Sequence, residues 1–407
     1  MTISLRKVQK WIFYFLVFFI VFDGVRSNLV ISGFISPFRE LFLNLFILCS
    51  IPLLKLCKRK DVALVTPYLI ISALAIINIP ITLSIDITTY NVGPINVFEN
   101  KYSAVYKHII FSIIFLSMIC FIRNDEESAT KGIGLMINLA AIYSIITIPI
   151  YLYGAPLFKE NFRDWGRMGV GYPTMDGQMI CFSIFCLIFL VKQKSVFLFN
   201  IKMAALLIGL VAQNTGTAIV TMVVIGALSI IKKPGKTFTY VAIMIPFIAA
   251  LVIKQYYSNP EFFTDMLYVL NTKIEQLLHP EMASSSNLDT LQMRAAQFDM
   301  LEKVLKHDPM LRIFGVGGEA YIENEFRLTL VAYGIFSFAA FIISFVWMAF
   351  ISINKKNNNK LLLLTIIVMW AFTSYTLSSI HLFTTSFMFC LVFSYTYITG
   401  ERDRMVN

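Results

Sequence analysis

Apolar residues run along this chain in long unbroken blocks, separated by short polar knots rich in Lys and Arg. Blocks near 11–31, 38–54, 62–83, 105–122, 133–152, 175–191, 201–215, 217–231, 238–253, 326–350, 361–379 and 381–398 predict twelve membrane-spanning helices. A hydrocarbon core takes about 20 apolar residues per helical span. The blocks are continuous rather than alternating, which argues against a β-barrel. The basic, then apolar, N-terminus has the outline of a signal peptide. No small-x-small cleavage pattern follows it, so it reads as an uncleaved first helix.

The seventh and eighth blocks are ambiguous, because 203–231 could be one long tilted helix or two helices turning at Gln213–Gly216. Charge favours a hairpin. Lys192, Lys194 and Lys202 precede the stretch and Lys232, Lys233 and Lys236 follow it. A hairpin puts both clusters on the cytoplasmic side, as the positive-inside rule expects. Both termini are then cytoplasmic, and 20 of the 34 basic residues fall in short inside loops.

One connection is much longer than the rest. The chain divides into an N-terminal bundle of about nine spans (1–253), a large outer loop (254–325) and about three C-terminal spans (326–407). Phe263, Leu267, Leu270, Ile274 and Leu277 keep helical spacing in the loop, predicting an amphipathic helix on the membrane surface. A second loop helix is expected from about Thr290 to Lys306, with Asp289 as N-cap. In it Leu291, Arg294, Phe298, Leu301 and Leu305 share one face, so Arg294 lies on the apolar side. Such a cation suits a lipid diphosphate, a protein carboxylate or a snorkelling position.

Composition agrees with the pattern. The chain is 57% hydrophobic and 14% charged, against about 45–50% and 25% for soluble domains, and its mean hydropathy is +0.73. The net charge of +10 sits in short clusters between apolar runs and implies no nucleic-acid partner. The six cysteines lie in or beside the spans without a CxxC pair, so neither disulfides nor a cysteine metal site is expected.

Span interiors are almost free of charge, Asp23 and Arg26 coming closest. The unusual polar residues gather on the outer side, where all four histidines (His108, His279, His307, His381) also map. One loop there carries Lys159, Arg163 and Arg167 among Trp165, Tyr172 and glycines. Guanidinium forks match phosphate oxygens, and Trp and Tyr can stack on sugars. The same residues also suit an interfacial loop with aromatic anchors.

The second polar corner is FGVGGEAYIENEFRLTLVAYG, Phe314 to Gly334. It lacks the GK[ST] that completes a phosphate loop. Glu323 and Glu325 suit a helix start, where carboxylates are favoured. Glu323 also suits a general base, since a carboxylate at a low-dielectric edge is pushed toward the working range of a base. Arg327, four residues on, can share its face. No DxD or HExxH occurs and the four histidines are scattered, so neither a metal nor another cofactor is expected, and no GxSxG nucleophile elbow appears either.

The spans, the large outer loop with an Arg-bearing helix and then FGVGGEAYIENEFRLTLVAYGIFSF together resemble the Wzy-type O-antigen and capsular repeat-unit polymerases, relatives of the O-antigen ligases. The sequence-specific part covers about residues 163–177 and 294–336. The resemblance implies a GT-C-like helical fold in the bacterial cytoplasmic membrane with its site facing outward. It implies metal-independent inverting glycosyl transfer between undecaprenyl-diphosphate-linked oligosaccharides, and working partners such as a flippase and a chain-length regulator. Glu323 would be the base. Arg167 and Arg294, then Arg163 and Arg327, would hold diphosphate. Trp165, Tyr172 and Asn324 would contact sugar or acceptor. Counting back from Gly334, the ligase branch carries a histidine where this chain has Glu323, which favours a polymerase. The spaced Arg–Gly signatures of some polymerases are not matched. The rivals are an O-antigen ligase acting on lipid A core and a non-enzymatic flippase or transporter.

Overall fold

A computed structural model describes residues 5–83, 101–159, 167–192, 195–232, 309–318, 322–354 and 358–402, with scattered positions between 260 and 306. The ninth predicted span, both predicted loop helices apart from scattered positions, Arg163, Trp165, Arg294, His279 and His307 lie outside the described residues. What is described is almost all helical, without strands. Every other predicted span coincides with a helix. Seven helices are long and apolar enough to cross a membrane by length and composition, as in a membrane-embedded protein.

The described chain forms two compact units. The first comprises 1–49 and 125–280. It holds α1 (Leu5–Arg26), α2 (Ser32–Ser50), α5 (Glu126–Tyr153), α6 (Pro173–Phe189), α7 (Val196–Gln213) and α8 (Gly216–Lys232). The second comprises 50–124 and 281–407. It holds a 3₁₀ turn (Ile51–Leu56), α3 (Arg59–Thr82), α4 (Lys101–Asn124), α9 (Pro309–Phe314), α10 (Glu325–Asn354), α11 (Lys360–Thr376) and α12 (Phe383–Arg402).

Each unit has a helix buried on nearly all sides. In the first it is α6, where every residue from Met175 to Leu187 is buried. In the second it is α12, where every residue from Phe383 to Ile398 is buried. A helix apolar all round belongs in a core. Several Ser and Thr hydroxyls of α12 are answered within the helix: Thr396 donates to the Val392 carbonyl at 2.8 Å and Ser386 to that of Phe383 at 3.1 Å. The flanking helices turn large apolar side chains outward, among them Phe18, Leu48, Ile145, Val223, Val346 and Phe350. Hydrocarbon is the solvent such faces require.

Helix ends follow local chemistry. Asn214, in the left-handed region at φ 44°, ends α7 and breaks the ambiguous stretch into two helices. The break falls at the expected place. Both α7 and α8 pack on α6. Gly177 lets Thr215 and Ala218 close on α6, and Gln178 bonds Thr221 at 3.2 Å. A polar seam on α6 therefore holds α8.

Asp125 caps α5, accepting from the Ser128 amide at 3.1 Å and the Ser128 hydroxyl at 2.9 Å, with Arg6 beside it. Burial alone would raise its carboxyl pKa. The Ser128 hydrogen bonds and the Arg6 charge outweigh that and hold it below the usual carboxylate range. A lowered folded-state pKa contributes stability above the unfolded pKa and loses it as pH falls through the folded value. Asp125→Ala is expected to cost about 1 kcal/mol at neutral pH. In detergent melts the deficit against wild type should shrink below about pH 4.

Candidate functional site

The polar corner at Phe314–Gly334 is a broken helix and the loop that repairs it. α10 is interrupted at Gly334, whose φ of 80° and ψ of −176° no helix contains. A break frees carbonyls of the preceding turn, and in a low-dielectric setting each needs a donor. The GVGG segment supplies them: the Val316 amide donates to the Val331 carbonyl at 2.8 Å and the Gly317 amide to that of Ala332 at 3.0 Å. The approach is close enough to demand glycine on both sides. A Cβ on Gly315 would lie 2.4 Å from the Ala332 carbonyl, and one on Gly334 would lie 1.9 Å from the Ile313 oxygen. The glycines are a helix-to-loop weld. Leu305, at the end of the predicted apolar face of the second loop helix, is buried in the core beneath this corner with Val316, Ile322 and Val331.

Asn324 caps the lower half of α10, its Oδ1 accepting from the Arg327 amide at 3.0 Å. Glu323 is half-buried just ahead of the helix and Arg327 is exposed on its first turn. The carboxylate that the fold buries is Glu325. Its amide donates to the Leu377 carbonyl at 3.1 Å, and its Oε2 accepts from the Ile380 amide at 3.0 Å. Two imidazoles close on it. His108 Nε2, from α4, is 3.6 Å from Oε1, and His381 Nδ1, from the turn between α11 and α12, is 3.5 Å from Oε2. The two rings meet edge to face at 4.6 Å, and Tyr333 packs edge-on against His108 at 4.7 Å. Glu325, His108 and His381 are all buried. Among the described residues, His108 Nε2, Glu325 Oε1 and the Tyr333 hydroxyl have no partner within hydrogen-bond distance.

This constellation was not visible in the sequence. The histidines read as scattered because α4, α10 and the α11–α12 turn are far apart along the chain. Glu325 read as one of two glutamates at a helix start. The only local signal was the pair of acids ahead of an apolar run, which does not say which one turns inward.

The first unit has its own buried charges. Arg39 Nη1 lies 2.5 Å from Asp23 Oδ1 and also pairs with Glu40, while Arg26 Nε reaches Asp23 at 3.0 Å. Asp23 and Arg26 are thus part of a network whose central cation, Arg39, no local sequence pattern marks. Asp176 sits in the first turns of α6 and accepts from the Tyr143 hydroxyl at 2.6 Å. The backbones of Gly24 and Gly171 lie against its carboxylate, where a Cβ would come within 2.0 and 2.1 Å. Of the predicted outer loop, Lys159 and Arg167–Tyr172 are described; the Lys159 amide donates to the Asn28 carbonyl at 2.9 Å and its Nζ to that of Ser27 at 2.7 Å. Met168 donates to the Ala212 carbonyl at 2.9 Å, Asn28 Nδ2 donates to that of Val170 at 3.0 Å, and Tyr172 precedes α6 as its N-cap residue. Arg167 and Tyr172 are partly buried and belong to the first unit, whereas Glu323, Asn324 and Arg327 belong to the second.

The chain matches no protein-family model and no curated protein. The fold and these clusters define it as a helical, membrane-embedded protein with polar clusters buried in both units.

Proposed function

We propose that the chain is a polysaccharide repeat-unit polymerase of the bacterial cytoplasmic membrane, with a GT-C-like fold of about twelve spans. It would join undecaprenyl-diphosphate-linked oligosaccharides at the outer leaflet. The observation that carries this reading is the welded corner of α10. It presents half-buried Glu323, Asn324 and exposed Arg327 together at a helix start, in the stretch that resembles the polymerases.

In the proposed step an acceptor sugar hydroxyl attacks the donor's anomeric carbon. Its proton goes to Glu323, and the anomeric C–O bond to phosphate breaks with the electron pair leaving on the lipid diphosphate. The developing charge is met by guanidinium, with Arg167 and Arg294 first and Arg163 and Arg327 second. Trp165, Tyr172 and Asn324 contact sugar. The bond-making itself asks for no metal. Glu323→Gln is expected to lower polymer formation by about 10²–10⁴-fold, the usual worth of a general base. Inserted protein would then accompany lipid-linked single repeats, and Arg294→Ala should do the same. Normal polymer ladders on gels from both variants would refute the site assignment.

A transporter of lipid-linked oligosaccharide is the second reading, and the buried Asp23–Arg39 pair and Asp176 favour it, since charges inside membrane proteins often mark transport paths. Purified protein given lipid-linked repeats without ATP separates the two: polymer product requires the enzyme. Long lipid-linked chains persisting in a null strain that lacks surface glycan would point instead to a ligase.

A further inference from the structure

We infer that His108, Glu325 and His381 form a binding site for a divalent first-row metal ion, with zinc the best match to two imidazoles and a carboxylate. The site lies wholly within the second unit, and the inference does not rest on the polymerase reading.

Three observations carry it. The first is the tautomer of His108. Its Nδ1 lies 3.3 Å from the Ala104 carbonyl, which can only accept, so Nδ1 bears the proton. In the neutral ring Nε2 is then a lone pair, and it faces Glu325 Oε1. Two lone pairs turned toward one another in a buried site require a cation between them. This Nδ1–H to backbone carbonyl contact is also the outer-shell bond that metal-binding histidines regularly make.

The second is distance. The two nitrogen–oxygen separations, 3.6 and 3.5 Å, are longer than the roughly 2.7–3.2 Å of a direct N–H···O bond. Two ligands of one tetrahedral ion, each about 2.0–2.2 Å from it, stand about 3.3–3.6 Å apart, which His108 Nε2 and Glu325 Oε1 match, while the His381 separation is measured to the other oxygen, Oε2. One ligand atom from each of the three side chains lies within 4.8 Å of the others.

The third is burial without satisfaction. Among the described residues neither His108 Nε2 nor Glu325 Oε1 has a partner within hydrogen-bond distance, and their side chains are 1% and 0% exposed. The other Glu325 oxygen is fixed by the Ile380 amide, which orients the carboxylate toward the imidazoles. Imidazole and carboxylate donors suit zinc, and a His₂–carboxylate set with a further position is a familiar zinc coordination. An ion here would tie α4, the lower half of α10 and the α11–α12 turn together directly beneath the helix break.

The test uses full-length, tag-free protein in detergent. Its metal content is measured by mass spectrometry, and the stripped protein is then titrated with Co²⁺. About one ion per chain is expected, with visible ligand-field bands from four-coordinate cobalt. His108→Ala and His381→Ala should each weaken cobalt binding by at least about tenfold, whereas Glu323→Gln should not. His381→Cys supplies a guard against simple misfolding. It should retain cobalt and add a thiolate-to-metal charge-transfer band, which a merely structural role cannot produce. Stripped wild-type protein that takes up no Co²⁺ more tightly than the His108→Ala, His381→Ala double variant overturns the site and leaves a protonated imidazole as the cation. Protein that binds cobalt but makes no polymer retires only the polymerase reading. Protein that makes polymer but ignores cobalt retires only the metal site.

Discussion

Gly334→Ala is expected to cost at least about 3 kcal/mol, enough to deplete the folded protein in membranes and to lower the detergent melting temperature by many degrees. The backbone at Gly334 occupies a region that is essentially glycine-only. A methyl group there would also have to displace the Ile313 carbonyl, because it would sit 1.9 Å from that oxygen, far below contact distance. The Ile313 end of α9 cannot retreat without losing the Val316 and Gly317 amide bonds to the α10 carbonyls. Gly226→Ala is the matched control. Gly226 lies inside α8 with open space around it, so the same substitution should be neutral or stabilise by up to about 1 kcal/mol. Equal melting of the two variants would mean that the break in α10 is not a structural requirement.

Asp61→Ala is the second large effect, at about 3–5 kcal/mol. Asp61 is fully buried at the start of α3 and holds the end of the second unit opposite the Glu325 cluster. Arg123, at the end of α4, grips it with two bonds of 3.0 and 2.7 Å. Tyr397 of α12 donates to it at 3.2 Å, and the Lys58 amide at 2.8 Å. Arg123 also reaches Glu401 at 3.2 Å, and Glu401 pairs with Lys60. Removing the carboxylate leaves a buried guanidinium with only part of its partners, which costs more than the pair itself is worth. Asp61→Asn keeps the shape and loses the charge, so it should fall between wild type and Asp61→Ala in thermal melts. A melting temperature unchanged in Asp61→Ala would show that α3, α4 and α12 do not depend on this latch.

How far the sequence could be read differs from residue to residue. Helix positions were legible because each apolar block must be long enough to bury its own backbone bonds, and the break at Asn214 was legible from QNTG. The seating of α8 on α6 was not, because it depends on Gly177 and Gln178 of another helix. Asp23 and Arg26 stand out as charges in a span, but nothing in the pattern links them to Arg39, thirteen or more residues on. At the corner, Asn324, Glu323 and Arg327 were placed at the start of a helix, and Asn324 proves to be its cap. Glu325 was hidden, since one residue of rotation on a helix decides whether an acid meets water or two histidines.

By itself the sequence determined the class of the molecule: continuous apolar blocks can only be helices in hydrocarbon, and Asp, Ser, Asn and Pro mark where several of those helices start or stop. These are local constraints, set by helical rise and by unpaired backbone groups at helix ends. The tertiary structure alone decided that Gly315 and Gly334 meet backbone to backbone, that Arg39 answers Asp23 and that His108 and His381 converge on Glu325. Those outcomes depend on side-chain direction and on packing between segments distant in the chain, where a buried lone pair or charge must find a partner that its neighbours in sequence cannot supply.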